Sequence, residues 1–283
     1  MSNSAPPGEG STRDSQNCGL VEPSRQIGDL DCDVLRRQFV SVDQMRSFQN
    51  RAAIGSIVTA QQGLRLGLKE ILAPVVRAVG YKGSGITWRK ANAQGDLAIV
   101  NVQSSMFSIA TRLDCVVNLS LAPAPWVSWL TRHQTRLPKS VGESYGMYRR
   151  RLHPAGAVPG IDTWWEITRA DAAADAVRDM TAQLADDGLP VLERLLDRSN
   201  LLAAVRAGDL GDFSRASRNS FDPFAARCEV VLLADAGDAD EVESLLARLA
   251  AHPVGAGFDV EMLRNHDAEL AAWARARLAG VES

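Results

Sequence analysis

Seven side chains of this chain have the types and spacing to do chemistry together: Arg89, Asn101, Gln103, Asn118, Arg150, Trp164 and Glu166. Six of them alternate with apolar neighbours. Arg89 follows Trp88, Asn101 and Gln103 flank Val102, Asn118 lies between Val117 and Leu119, and Trp164 and Glu166 flank Trp165. A period of two puts alternate residues on opposite faces of a strand, so these six are expected to share one polar sheet face. Such a face offers amide donors and acceptors, a guanidinium and a stacking surface, which suit a carboxylate, a phosphate or a planar ligand. The plainer alternative is a solvated face whose polar groups bond across strands. Leu97 and Ile99 fall on the same side, so part of it is expected to be covered.

A second cluster runs Tyr145, Tyr148, Arg149, Arg150, Arg151 and His153, with Arg132, His133, Arg136 and Lys139 upstream. Phosphate contact is one reading. Strand alternation, however, divides the three consecutive arginines between two faces, and pairing with carboxylates competes for them. The four histidines, His133, His153, His252 and His266, stand far apart, and no HExxH pair occurs, so no metal site is expected. Asp235, Asp238 and Asp240 lack the glycine and terminal glutamate of a calcium loop. Lys82-Gly83-Ser84-Gly85 lacks phosphate-loop spacing and precedes a strand. There is no GxSxG elbow. No cofactor is expected, and the balance leans away from an enzyme.

These residues must be positioned by the stretch 64–121. Leu64, Leu68, Ile71, Leu72, Val75 and Val79 recur at helical spacing over about 61–79. Pro74 is expected to bend that helix or cost it one hydrogen bond, and Gly80 to end it. Strands are expected at 86–90, 97–104 and 113–121, joined by short turn-rich connections that suit an antiparallel meander. A short helix over 123–131 follows, then two strand-like runs at 145–153 and 161–168, read as a second hairpin. From Asp171 the chain turns helical. Gly188-Leu189-Pro190 is expected to break the first long helix, and further helices follow to about 279. Those at 223–252 resemble one unit of a tetratricopeptide repeat, with no second copy.

The chain has 283 residues, 46% hydrophobic and 23% charged, and a net charge of -3. The size allows one large domain, and the net charge disfavours nucleic acid or an anionic membrane as partner. No apolar run approaches the roughly 20 residues that span a bilayer. The first residues lack a signal-peptide pattern, and the cysteines 18, 32, 115 and 228 lack metal-ligand spacing. The expected setting is a reduced, bacterial cytoplasm, with arginine-over-lysine usage and alanine-rich helices pointing to a GC-rich genome.

The string LKEILAPVVRAVGYKGSGITWRK, then IVNVQSS, VVNLSL, YRRRL, GIDTWWEI and GLPVLERLL, resembles in order the bacterial family called domain of unknown function 4304. The resemblance covers roughly 60–205. It implies an α+β domain with an antiparallel sheet, and no activity. Because family-like sequence begins near Thr59, Val58 is a candidate GTG start codon.

The expected organisation is a disordered or weakly helical extension over 1–58, an α+β domain over 59–206, a linker over 207–222 and a helical appendage over 223–283. The fold class is α+β: an antiparallel sheet of about five strands on an N-terminal helix, followed by a helical C-terminal half. The expected function is a non-catalytic binding module for a protein or small-molecule partner, with an immunity-protein or antitoxin role as one form. A ligand or nucleotide site built from Arg89, Gln103, Arg150 and Glu166 is the enzymatic alternative. RNA or DNA binding through Arg149–Arg151 is a third.

Overall fold

The computed structural model describes residues 59–109, 112–135, 139–212, 221–253 and 259–281. The extension expected over 1–58, with its disordered and weakly helical parts, lies outside them.

The first helix starts at Thr59, whose hydroxyl accepts from the Gln62 N–H while the Gln62 side chain accepts from the Thr59 N–H. This reciprocal box satisfies two of the orphan donors at a helix start. α1 (Ala60–Gly67) runs through a π turn, Leu68–Leu72, into α2 (Ala73–Ala78). In that turn the Ala73 N–H reaches back to Leu68 O. The five-residue step lies just before Pro74, which has no N–H to give. The helix therefore absorbs the proline without ending.

The sheet has six strands: β1 (Lys82–Ser84), β2 (Thr87–Ala91), β3 (Leu97–Ser104), β4 (Leu113–Ala122), β5 (Tyr148–Leu152) and β6 (Trp165–Ile167). The order is β1-β2-β3-β4-β5, with β6 also on β4, and every pairing between these strands is antiparallel. Two features differ from the sequence reading. Lys82–Ser84 is a strand, made possible by Gly83 (φ 144), where a Cβ would come within 2.3 Å of Thr87 O. And β5 and β6 do not form a hairpin. β5 pairs with 117–121 and β6 with 113–115 of the same strand, so both run in one direction, end to end. Residues 153–164 loop out between them.

One face of the sheet carries Trp88, Val100, Val102, Cys115, Val117, Leu119, Leu121 and Trp165, all buried. The helices cover it. Alternation in the sequence assigned this apolar face correctly. α4 (Ala170–Gln183) lies along α1, and glycine makes the approach possible: a Cβ on Gly63 would come within 2.8 Å of Ala170 O, and one on Gly67 within 3.0 Å of Val177 Cγ2. A second π turn, Leu184–Gly188, carries the chain from α4 into α5 (Leu189–Leu195), with the Leu189 N–H on Leu184 O. The break expected at Gly188-Leu189-Pro190 does not occur, because the same five-residue step precedes Pro190. Gly188 also lets this turn press on the sheet, since a Cβ there would meet Leu119 Cδ1 at 3.0 Å and Leu152 Cδ1 at 3.2 Å.

The short helix α3 (Ala124–Thr131), α6 (Arg198–Ala207), α7 (Pro223–Ala236), α8 (Ala239–Ala251) and α9 (Val260–Leu278) complete the fold. α7 is apolar on most sides and packs against α3, α6, α8 and α9. Trp129 of α3 meets Trp273 and His266 edge-on at 5.9 and 5.2 Å, and Trp126 meets Phe224 at 6.1 Å. The leucines of these helices belong to the same continuous apolar cluster as the sheet. Before α7, Gly211 bridges to Arg149, and the Asp212 N–H donates to Arg149 O at 2.5 Å, which covers the outer edge of β5.

One ionic cluster ties these layers together. Asp96, in the β2–β3 turn and 2% exposed, accepts from Arg198 Nε and Nη2, both at 2.8 Å. It also accepts from the Ala124 N–H at 2.9 Å and from Asn92 Nδ2 at 3.0 Å. Arg198 bonds Asp235 of α7, which Arg277 of α9 also reaches.

Candidate functional site

The second face of the sheet is polar, and it divides into a roofed half and an open half. Over the roofed half runs the segment before β5. Arg89 Nε donates to Val141 O at 2.6 Å, and Ile99 and Ser120 are fully buried beneath it. Gly146 belongs to this roof because a Cβ there would come within 2.1 Å of Ser120 Oγ. The partial cover expected over Ile99 is thus supplied by the chain itself.

The open half is a bonded array. Asn118 Nδ2 donates to Gln103 Oε1 at 2.8 Å, and Arg151 Nε donates to Asn118 Oδ1 at 3.4 Å. Arg151 also donates to Asp162 at 2.6 Å, and Trp164 Nε1 donates to the same carboxylate at 3.1 Å. The Arg151 guanidinium lies 5.2 Å from the Trp164 ring centroid. Beside this row, Asn101 Nδ2 donates to Thr87 Oγ1 at 2.8 Å. At the β6 end, Arg112 bonds both Asp114 and Glu166 at 3.0 Å. Register explains the grouping: Asn101 stands opposite Asn118, Asn118 opposite Arg151, and Asp114 opposite Glu166. Directly opposed residues of antiparallel strands project the same way.

Electrostatics within the array is local. Partial burial pulls the Asp162 carboxyl up, but hydrogen bonds from Arg151 and Trp164 outweigh it and hold the group below its ordinary value. Asp114, through a hydrogen bond and its charge, together with Glu166, raises the Arg112 guanidinium further. Gln103 and Glu166 remain exposed, and Gln103 Nε2 has no partner among the described residues. The array can therefore offer an amide donor, a carboxylate and the Trp164 ring to a surface laid against it.

Of the seven side chains singled out in the sequence, the structure brings five together on the open half: Asn101, Gln103, Trp164 and Glu166, and Asn118, which is itself buried. Arg89 shares their face but lies beneath the roof. Arg150 is on the other face, because its partner across the strands is Leu119 of the apolar set. There it forms a two-pronged pair with Asp187 of the second π turn. Burial opposes that charge, but the Asp187 hydrogen bond and charge prevail, and the guanidinium is held above its ordinary value. A pocket formed by Arg89, Gln103, Arg150 and Glu166 is thus not assembled. Arg151, named in the sequence only as part of the arginine cluster, and Asp162, not singled out there, are central to the array. Alternation in Arg149-Arg150-Arg151 separates Arg150 from its neighbours, but only the β4–β5 register puts Arg151 beside Asn118.

Among the described residues no group of three or more His, Cys, Asp or Glu is arranged to hold a metal ion. Two surface cavities lie away from this face. One of about 430 Å³ is lined by His266 and Glu269 at the start of α9, and one of about 450 Å³ lies between α8 and α9. No described helix is long and apolar enough to cross a membrane.

Residues 72–194 match the family model described as domain of unknown function (DUF4304). No curated protein and no solved structure matches the chain. The matched span begins in the first π turn, takes in all six strands and every member of the open array, and ends in α5. The resemblance carried by the ordered strings from LKEIL to GLPVLERLL is thereby borne out over residues 72–194.

Proposed function

We propose that this chain is a non-catalytic binding module of a bacterial cytoplasm, and that the open half of its polar sheet face receives a protein partner. The observation that carries this reading is the array of Gln103, Asn118, Arg151, Asp162 and Trp164, prebonded and laid out on a sheet face. Side chains already held by neighbours lose little further freedom on association. An array spread over a sheet face suits another macromolecular surface, whereas a small ligand is ordinarily enclosed in a cleft. An immunity-protein or antitoxin role is one concrete form.

Phosphate binding by the arginine strand draws no support from its ion pairs. Arg150 is engaged by Asp187 and Arg151 by Asp162, so neither offers an uncompensated charge.

Affinity capture from a native lysate tests the proposal, with the Gln103→Ala/Arg151→Ala double variant as control. A protein retained by the wild-type chain and lost with the variant supports it. Identical captures from both, with the variant folded, would remove the face from the argument.

A further inference from the structure

Large apolar side chains stand in solvent next to the open array, on the connection between β3 and β4. Met106 is 88% exposed, Phe107 82% and Ile109 64%. Hydrogen bonds close this connection. The Ser105 N–H donates to Asp114 O and the Ile109 N–H to Arg112 O, both at 2.8 Å, and the Asp114 N–H donates to Ser108 Oγ at 3.2 Å. The connection also continues the array directly. Gln103 is the last residue but one of β3, and Asp114, the second residue of β4, stands opposite Glu166. The same corner carries an excess of negative charge. Arg112 is shared by Asp114 and Glu166, each at 3.0 Å, so one guanidinium faces two carboxylates. Neighbouring cations are engaged elsewhere: Arg112 is the only charged residue in the sequence from 97 to 113, Arg151 pairs with Asp162, and Arg169 pairs with Asp171.

Given the array's role as a protein-binding face, we propose that its partner also covers this connection, with a segment that presents an arginine or lysine beside aliphatic or aromatic side chains. Two observations favour such a segment. The first is charge complementarity. A cation placed at Glu166, which is half exposed, neutralises the excess, whereas an acidic partner would set a like charge against it. The second is area. Met106, Phe107 and Ile109 expose on the order of 400 Å². One side of a standard protein contact buries about 800 Å². The exposed surface of Gln103, Asp162, Trp164 and Glu166 lies alongside and adds a comparable area. Neither part alone is large enough, and together they reach the size of a specific contact. An anionic membrane fits less well, because its headgroups would meet the same excess negative charge.

Selection of a random peptide library, displayed on phage, against the full chain tests this. Enriched peptides are expected to carry arginine or lysine next to apolar residues. One of them, made synthetically and followed by fluorescence anisotropy, is expected to bind Phe107→Ser about tenfold or more weakly than the wild type. It is expected to bind Glu166→Gln about fivefold more weakly, with both variants melting as the wild type does. Added salt is expected to weaken binding to the wild type more than binding to Glu166→Gln. A selection that enriches nothing, enriched peptides without a cation, or unchanged affinity for either variant overturns the proposal. Self-association of the wild type that Phe107→Ser abolishes, or flotation with phosphatidylcholine vesicles, assigns the connection to another occupant and overturns it as well. A peptide weakened only by Gln103→Ala/Arg151→Ala overturns it too, and leaves the array's role standing. A peptide weakened only by Phe107→Ser and Glu166→Gln supports this contact and counts against the array.

Discussion

Replacing Asp96 by alanine is expected to be among the most damaging single changes in the chain. Its carboxylate accepts two bonds from Arg198, one from the Ala124 N–H and one from Asn92, and the residue is 2% exposed. Removal strands part of a guanidinium and the first N–H of α3 away from water. Breaking one side of a buried ion pair costs about 3–5 kcal/mol. The lost cap at α3 falls within that figure, because groups that share one carboxylate do not add. Arg198 keeps its bond to Asp235, which places the expectation at the lower end, about 3 kcal/mol. For a chain of this size that is a fall in melting temperature of roughly 6–12 °C. Urea unfolding at neutral pH, followed by circular dichroism, measures it. Asp96 also carries a pH signature. Burial raises its carboxyl, but the bonds from Arg198, Ala124 and Asn92 more than offset this and hold it below the ordinary value of 3.8. A group depressed in the folded state contributes fully above its unfolded value, and the contribution fades as pH falls through the folded one. Wild-type stability is therefore expected to drop below about pH 4 more steeply than that of Asp96→Asn. A loss under about 1 kcal/mol for Asp96→Ala, or parallel acid profiles for the two proteins, would refute the reasoning.

Two further outcomes follow from close packing and burial. Gly63→Ala puts a methyl within 2.8 Å of Ala170 O and is expected to destabilise by about 1–3 kcal/mol, read as a lower urea midpoint with unchanged slope. An unchanged midpoint would show that α1 and α4 can separate freely. Burial pushes the Cys115 thiol up to about 12 and raises the Cys228 thiol as well. Neither is expected to react with a thiol reagent until the chain unfolds, and peptide mapping showing rapid native labelling of either would contradict the packing.

The polar array shows how far local pattern reaches. Asn101, Gln103, Asn118, Trp164 and Glu166 were legible because alternation within a strand needs no knowledge of its neighbours. Arg150 could not be assigned to either face for the complementary reason: its side follows from pairing with Leu119 of another strand. The second hairpin failed in the same way, since two strand-like runs do not reveal that both will lie along β4. The helix break expected at Pro190 assumed uniform four-residue bonding, and a π turn removes that requirement.

By itself the sequence determined the α+β class, the apolar and polar sides of β2, β3, β4 and β6, the short helix α3 and the family resemblance of the central span. These are properties of short windows, where side-chain period and turn chemistry act through adjacent residues. Only the tertiary structure decided which polar residues meet, which half of their face is roofed, and that Asp96 finds Arg198 across 102 residues of chain. Such contacts depend on register and on the packing of distant segments, whose geometry is settled when the apolar face of the sheet is buried against the helices.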